Sequence, residues 1–346
     1  MHHHGRHLPS IVRRCVHTAA RRPYNIEVGV SFAGKPSLKA QVQPKRKTVA
    51  FPDNHPIAQW RNAQLKWENR RLKIDSAGED FFYVQKAIHD SGFSLGVSDG
   101  VGGWSDDGVD PSLFSQALMY FSAKHASTSW AGEPDFDPIE ETGTTKPTKS
   151  LSPKDIISNA YQDVLDEPAV QWSSTACVVN IDAQTGRLSA ANLGDSSFSI
   201  LRSSSIFHEQ KPQTHYFNCP RQLAKLLPSH RLHLRIRDLP EHADGYSAQL
   251  RHGDLVVLST DGLGDNVHPV EMIGLAALMG RQAASKPDQN LAQMLADGLV
   301  EYAIACMHSQ EKVSPFEVAA RKEGMEYEGG KIDDVTVIVA HISENL

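Results

Sequence analysis

Cysteine is scarce in this 346-residue chain, with four residues at positions 15, 177, 219 and 306 and no Cys-x-x-Cys pair among them. That excludes a disulfide-stapled scaffold and leaves no zinc-ribbon spacing. Long apolar runs are also missing: nothing approaches the ~18 uninterrupted residues of a membrane span, so no transmembrane segment is expected. Basic excess is missing as well, since the net charge is −6 and the pI about 6.3, which leaves no electrostatic footprint for nucleic acid. Acid, in turn, is absent from one end. Met1 to Arg22 holds five arginines and no carboxylate, with Ile11, Val12 and Val16 among the basic residues, and the first acid is Glu27. Residues 1–23 therefore read as a mitochondrial targeting peptide, and the remainder as a soluble protein of the matrix. A tag fragment around His2-His3-His4 and a disordered basic arm are the alternative readings.

Hydrophobic residues make up 40% of the chain and charged ones 22%, enough for a large core. Four acid-bearing pieces recur along it: Gly78-Glu79-Asp80, Asp99-Gly100-Val101-Gly102-Gly103, Asp261-Gly262-Leu263-Gly264-Asp265-Asn266 and Gly330-Lys331-Ile332-Asp333-Asp334-Val335-Thr336. Phe93 to Ser98 alternates like a strand and stops at Asp99; Asp254 to Thr260 stops at Asp261; Asp333-Asp334 leads into Val335 to Val339. Any one Asp-Gly alone reads as a turn. Three rigid strands that each deliver a carboxylate read instead as an all-oxygen cage for hard divalent cations, magnesium or manganese. Two such ions can grip both oxygens of a phosphoryl displacement. The acids come from opposite ends of the sequence, so residues 24–346 are expected to form one catalytic domain. Asp106-Asp107 lacks an apolar anchor and reads as solvated.

In this order, and with Asn192-Leu193-Gly194-Asp195-Ser196 between them, the pieces resemble the metal-dependent serine/threonine protein phosphatases of type 2C, over about Tyr24 to Ile342. Asp99-Gly100-Val101-Gly102-Gly103-Trp104, Gly108-Val109-Asp110-Pro111-Ser112, His215-Tyr216-Phe217-Asn218-Cys219-Pro220 and Ser314-Pro315-Phe316 are similar to the mitochondrial branch of that family. The resemblance implies that Asp99 bridges two metal ions, with the Gly100 carbonyl on one and Asp261 and Asp333 on the other. Asp80 matches an acid that acts through metal-bound water. Asp195 matches a ligand of a weaker third ion, with a hairpin turn at Gly194-Asp195-Ser196 as the alternative. A water shared by the two ions would attack phosphoserine or phosphothreonine, and no nucleophilic side chain is required. None of the cysteines sits in the Cys-x5-Arg arrangement of thiolate phosphatases, and Cys177 reads as core. The implied partners are phosphorylated mitochondrial proteins, the implied process includes coenzyme Q synthesis, and a monomer is expected.

Two departures from the family pattern matter. Ile74-Asp75-Ser76-Ala77 stands where many relatives carry a phosphate-holding arginine, which leaves Arg71 and Lys73 as the nearby cations. Val101 stands where many carry a histidine, which leaves the general acid open. A relative that binds phosphoproteins without turnover is the alternative function.

The expected fold is α+β, a sandwich of two antiparallel sheets flanked by helical layers. Strands are expected near 26–32, 175–181, 188–191, 198–201 and 255–258. Helices are expected from Pro111 toward Lys124, from a Ser152-Pro153 cap to Asp166, and near 269–279 and 290–307. Residues 33–70 read as a polar insertion or flexible cover with a surface helix over 57–70, Glu133 to Leu151 as a mobile loop, and 203–240 as a flap beside the site. The flap histidines 208, 215, 230 and 233 are too irregularly spaced for zinc.

Overall fold

The computed structural model describes residues 24–35, 50–101, 110–132, 150–225, 236–286 and 288–345. The targeting stretch, residues 36–49 of the expected insertion, residues 102–109 with the pair Asp106-Asp107, the 133–149 loop, and His230 and His233 lie outside them.

The first and last strands zip together. β1 (Tyr24–Ala33) runs antiparallel to β14 (Val335–Glu344), from Tyr24 opposite Glu344 to Ala33 opposite Val335. β13 (Leu255–Ser259), β7 (Ser197–Arg202) and β8 (Ser205–Glu209) complete that sheet in the order β1-β14-β13-β7-β8. The facing sheet runs β12 (Asp244–Gln249), β6 (Arg187–Leu193), β5 (Ala176–Asp182), β3 (Gly92–Asp99), β2 (Asp80–Lys86). Between the sheets lie Phe32, Phe82, Val97, Val179, Phe198, Val256 and Ile338. On the outer face of the β2 sheet, Phe81, Tyr83 and Val178 meet Phe114 and Leu118 of α2 (Ser112–Ser127) and Ile157 and Tyr161 of α3 (Pro153–Asp166). Phe81 and Phe82 thus serve different cores. A strand buried on both faces reads as continuously apolar rather than alternating.

On the other side, α5 (Pro269–Ala284) and α6 (Leu291–Met307) cover the β1 sheet. α6 lies so close to β1 that a Cβ on Gly29 would stand 2.2 Å from the Gln293 nitrogen. Gln293 uses this proximity: its side chain accepts from Val30 N at 3.1 Å and donates to Val30 O at 2.9 Å, which covers the open edge of β1. Two sheets between two helical layers is the expected sandwich.

Three local expectations change. α1 spans Pro56–Gln64, shorter than the expected 57–70, and lies on the surface with only Ile57 and Ala58 buried, against the α2 core. In the described residues beyond it the chain is packed down rather than loose: the Arg70 guanidinium stacks 3.6 Å from the Phe32 ring centre and its Nη2 donates to Leu72 O at 3.0 Å. Gly194-Asp195-Ser196 is not a hairpin turn, because β6 and β7 belong to different sheets. The same three residues carry the chain across the sandwich, which a local turn signal does not distinguish.

In the flap region β9 (Thr214–Tyr216) pairs with β10 (Cys219–Pro220) around Asn218 at φ 54, and β11 (Leu223–Lys225) joins β4 (Trp172–Ser174). His215 bonds buried Asp238 at 2.8 Å, whereas His208 stacks 3.6 Å from the Tyr246 ring. These two histidines share no ligand point. Burial lowers the His208 pKa below its ordinary value, so the folded state favours the neutral ring. Its contribution is present above the unfolded pKa of about 6.5 and is lost as pH falls below it. His208→Phe is expected to flatten the loss of melting temperature between about pH 7 and 5.

Candidate metal centre

The strand register delivers the acids to one end of the sandwich. Asp80 opens β2 and Asp99 closes β3, directly opposite each other. Asp80 is 1% exposed, and its Oδ2 accepts from Thr260 Oγ1 at 2.7 Å. Thr260 ends the β13 run of the other sheet, so this bond ties the sheets together beside Asp261. Thr260 also exchanges backbone and side-chain hydrogen bonds with Thr336 at 3.1 and 3.0 Å, which fixes the Asp261 turn against the start of β14.

Asp261 opens a single helical turn, α4 (Asp261–Gly264). Gly262 is required there by contact: a Cβ would fall 2.0 Å from Asp334 O. Asn266 then staples this turn to the neighbouring loop, donating to Gly262 O and Lys331 O and accepting from Lys331 N, each at 2.9 Å. Asp334, the partner of Asp333, is 2% exposed and accepts from the backbone nitrogens of Lys35 and Glu79. It acts as a brace for the two chain segments that reach the site. On the opposite wall, Thr175 Oγ1 accepts from Asp99 N at 3.0 Å and pairs with Ser196 at 2.6 Å, next to Asp195.

Asp99, Gly100, Asp195, Asp261 and Asp333 line one cavity of about 450 Å³. Asp80 sits behind it, fully buried, with Oδ1 unpartnered; Asp195 Oδ1 is buried and unpartnered too. Burial first, then Asp261, Asp80, Asp333 and Asp195, push the Asp99 carboxyl well above its usual range. Burial and then Asp334 do the same to Asp80, and burial and then Asp261 to Asp195. Such a set of acids calls for cationic charge. Orphaned carboxylate oxygens and an all-oxygen donor set fit a hard divalent ion.

Two cations in the cavity were not foreseen. The Lys331 ammonium lies 2.6 Å from Asp261, 2.7 Å from Asp265 and 3.0 Å from Asp333. Burial pushes the Asp265 carboxyl up to about 7 against the opposing pull of Lys331. Lys35, at the exit of β1, lies 2.9 Å from Glu79, 3.5 Å from Asp334 and 3.7 Å from Asp333. Among the described residues no three histidine, cysteine or carboxylate side chains already close on one point; an ammonium stands among three of the acids instead. Arg71 and Lys73 do not reach the site. Arg71 pairs with Glu301 at 3.0 Å and borders a separate cavity, and Lys73 donates to Arg70 O. The flap does reach it: Tyr216, Asn218, Cys219 and Pro220 border the cavity. Phe217 packs 5.2 Å from Phe316, whose backbone nitrogen donates to Asp265 O. The motifs at 215–220 and 314–316, far apart in sequence, thus meet beside Lys331.

Comparison with known proteins gives the family and the fold. A family model described as Stage II sporulation protein E (SpoIIE) matches residues 141–343. The chain is 34% identical over 268 residues to the protein phosphatase PTC7 homolog of Danio rerio, covering 77% of this chain and 82% of the relative. The human PTC7 homolog is likewise 34% identical over 268 residues, covering 77% and 80%, and the PTC7 homolog fig of Drosophila willistoni 35% over 317, covering 91% and 88%. The X-ray structure of the photosystem II phosphatase PBCP superposes with a TM-score of 0.60 at 23% identity, covering 92% of this chain and 98% of that one, which bears on the fold. The chain belongs to the PP2C-type phosphatases. It is a serine/threonine protein phosphatase, of a family whose activity depends on divalent metal and within which the PTC7 proteins are its relatives.

Proposed function

We propose that this chain removes phosphate from phosphoserine and phosphothreonine of mitochondrial proteins, in the matrix, at a centre for two magnesium or manganese ions. The observation that carries the reading is the convergence of Asp99, Asp195, Asp261 and Asp333 in one cavity, with unpartnered buried oxygens on Asp80 and Asp195. Asp99, the Gly100 carbonyl, Asp261 and Asp333 would hold the two ions, and Asp80, buried behind them, would support the centre. Asp195, with its unpartnered oxygen, would hold a weaker third ion. When bound, the ions supply a hydroxide nucleophile near neutral pH and charge for the phosphoryl oxygens. The mitochondrial assignment rests on the acid-free, arginine-rich N-terminus and accords with the PTC7 relatives; coenzyme Q synthesis is the process it points to.

Lys35 takes the phosphate-contacting role that Arg71 and Lys73 are too far away to fill. Burial alone would lower its pKa, but Asp334 and Glu79 hold it raised, so the side chain stays cationic at the cavity wall. Its backbone bond to Asp334 survives side-chain truncation. Lys35→Ala is expected to raise KM for a phosphopeptide about ten- to a hundredfold, with metal dependence unchanged and partial recovery in Lys35→Arg. Steady-state kinetics at saturating manganese read this directly.

The reading as a whole is tested by hydrolysis of a phosphothreonine peptide and of p-nitrophenyl phosphate, with manganese or magnesium titrated and EDTA as control. Peptide turnover that rises with metal and stops in EDTA is expected. A folded, metal-bound protein that turns over neither substrate would overturn it.

A further inference from the structure

Lys331 has no place in the roles assigned so far, yet it is the best-held side chain in the cavity. Its ammonium has three carboxylate partners within 3.0 Å, its side chain is 15% exposed, and the Phe316 ring lies 5.1 Å away. Two of those partners, Asp261 and Asp333, are the acids assigned to the second metal position. Asn266 grips the Lys331 backbone on both its N–H and its carbonyl, so the loop holds its place whether or not the ammonium does. The ammonium thus reaches the acids from a backbone that Asn266 fixes independently of it.

From this geometry we infer that Lys331 is a tethered cation that occupies the second metal position in the metal-free protein and is displaced when an ion enters. The inference rests on the metal-centre reading and concerns its regulation. A charged amine among Asp261, Asp265 and Asp333 relieves their mutual repulsion without metal, and holds the acids ready. An ion can take the same oxygens only by driving the ammonium off two of them, so the tethered cation raises the metal concentration at which the centre fills. Asp265 is the parking place: it binds the ammonium at 2.7 Å and stands outside the proposed ligand set, next to the backbone contact with Phe316.

Competition of this kind makes a prediction that simple charge repulsion does not. In wild-type protein the Lys331 amine is expected to be shielded from an acylating reagent without metal and to become several-fold more reactive as manganese is added, scored by peptide mass spectrometry. Under charge repulsion alone its reactivity stays level. Calorimetric manganese titration of Lys331→Gln, checked for folding by circular dichroism, is expected to show second-site binding about tenfold tighter or more. Lys331→Met guards against a new ligand from the introduced amide and is expected to match it. Level or falling acylation with metal, or unchanged or weaker manganese binding in both variants, would overturn the inference. Absence of manganese binding in the wild-type protein would instead remove the metal-centre reading beneath it.

Discussion

Asp99→Asn is expected to lower metal-dependent phosphatase activity by about a hundred- to a thousandfold or more and, in EDTA, to raise the melting temperature. The two effects have one origin. Asp99 is buried opposite Asp80 and near Asp261, Asp333 and Asp195, so its folded pKa lies well above that of an exposed carboxylate. A group shifted this way binds its proton more tightly in the folded than in the unfolded state, so its ionised form at neutral pH destabilises the metal-free fold. Asparagine removes the charge and keeps the shape. Manganese reverses the order: the wild-type protein should gain stability as metal is added, by about 4 kcal/mol at a thousandfold excess over the dissociation constant, while Asp99→Asn gains little. Scanning calorimetry of both proteins in EDTA and in manganese reads all four states. An Asp99→Asn protein less stable than wild type in EDTA would mean that Asp99 holds the fold rather than an ion. Asp261→Asn should lose activity in the same way while remaining folded.

A single methyl group at Gly262 should be nearly as damaging. The added carbon would stand 2.0 Å from Asp334 O and 3.0 Å from Asp334 C, both backbone atoms just before β14, with Met307 Cε 3.3 Å away. Backbone held by a full strand ladder does not move aside, so the turn must. Gly262→Ala is expected to cost about 2–3 kcal/mol, the upper part of the usual range for overpacking, and to lower the melting temperature by about 4–10 °C. Because the displaced turn carries Asp261 away from Asp333, manganese binding should weaken as well. Gly264→Ala is the control, since a Cβ there meets nothing within 4 Å. Equal melting temperatures for the two variants would show that the close approach at Gly262 does not constrain the turn.

The sequence revealed the carboxylates because each one marks the edge of an apolar run, and such an edge is a local signal. Asp99 after Phe93–Ser98 and Asp261 after Asp254–Thr260 stand at strand ends as expected. What escaped was non-local. Lys35 reaches the site because Ala33 pairs with Val335, which sets residues 34–35 beside 333–334; a register spanning the whole chain leaves no trace in either segment. Lys331 stood in plain view two residues before Asp333, but a lysine near acids reads as a solvated charge unless burial is known. Gly194-Asp195-Ser196 has the composition of a hairpin turn, and only the assignment of β6 and β7 to different sheets makes it a crossing. The end of α1 at Gln64 lacks a glycine or proline stop, and the contact of Arg70 with Phe32 beyond it is a non-local one that leaves no signal in the segment. His208 and His215 have separate partners, Tyr246 and Asp238.

The cavity bounded by Asp99, Asp195, Asp261 and Asp333 is proposed as a dimetal centre. Anomalous diffraction at the manganese edge from crystals soaked in manganese tests it most directly. Two strong peaks are expected in that cavity, with the Asp99 carboxylate between them, the Lys331 ammonium withdrawn toward Asp265, and both peaks lost in Asp99→Asn. Well-diffracting crystals with manganese sites only elsewhere on the protein, or with Lys331 still seated between Asp261 and Asp333 at saturating metal and no peak in the cavity, would contradict it.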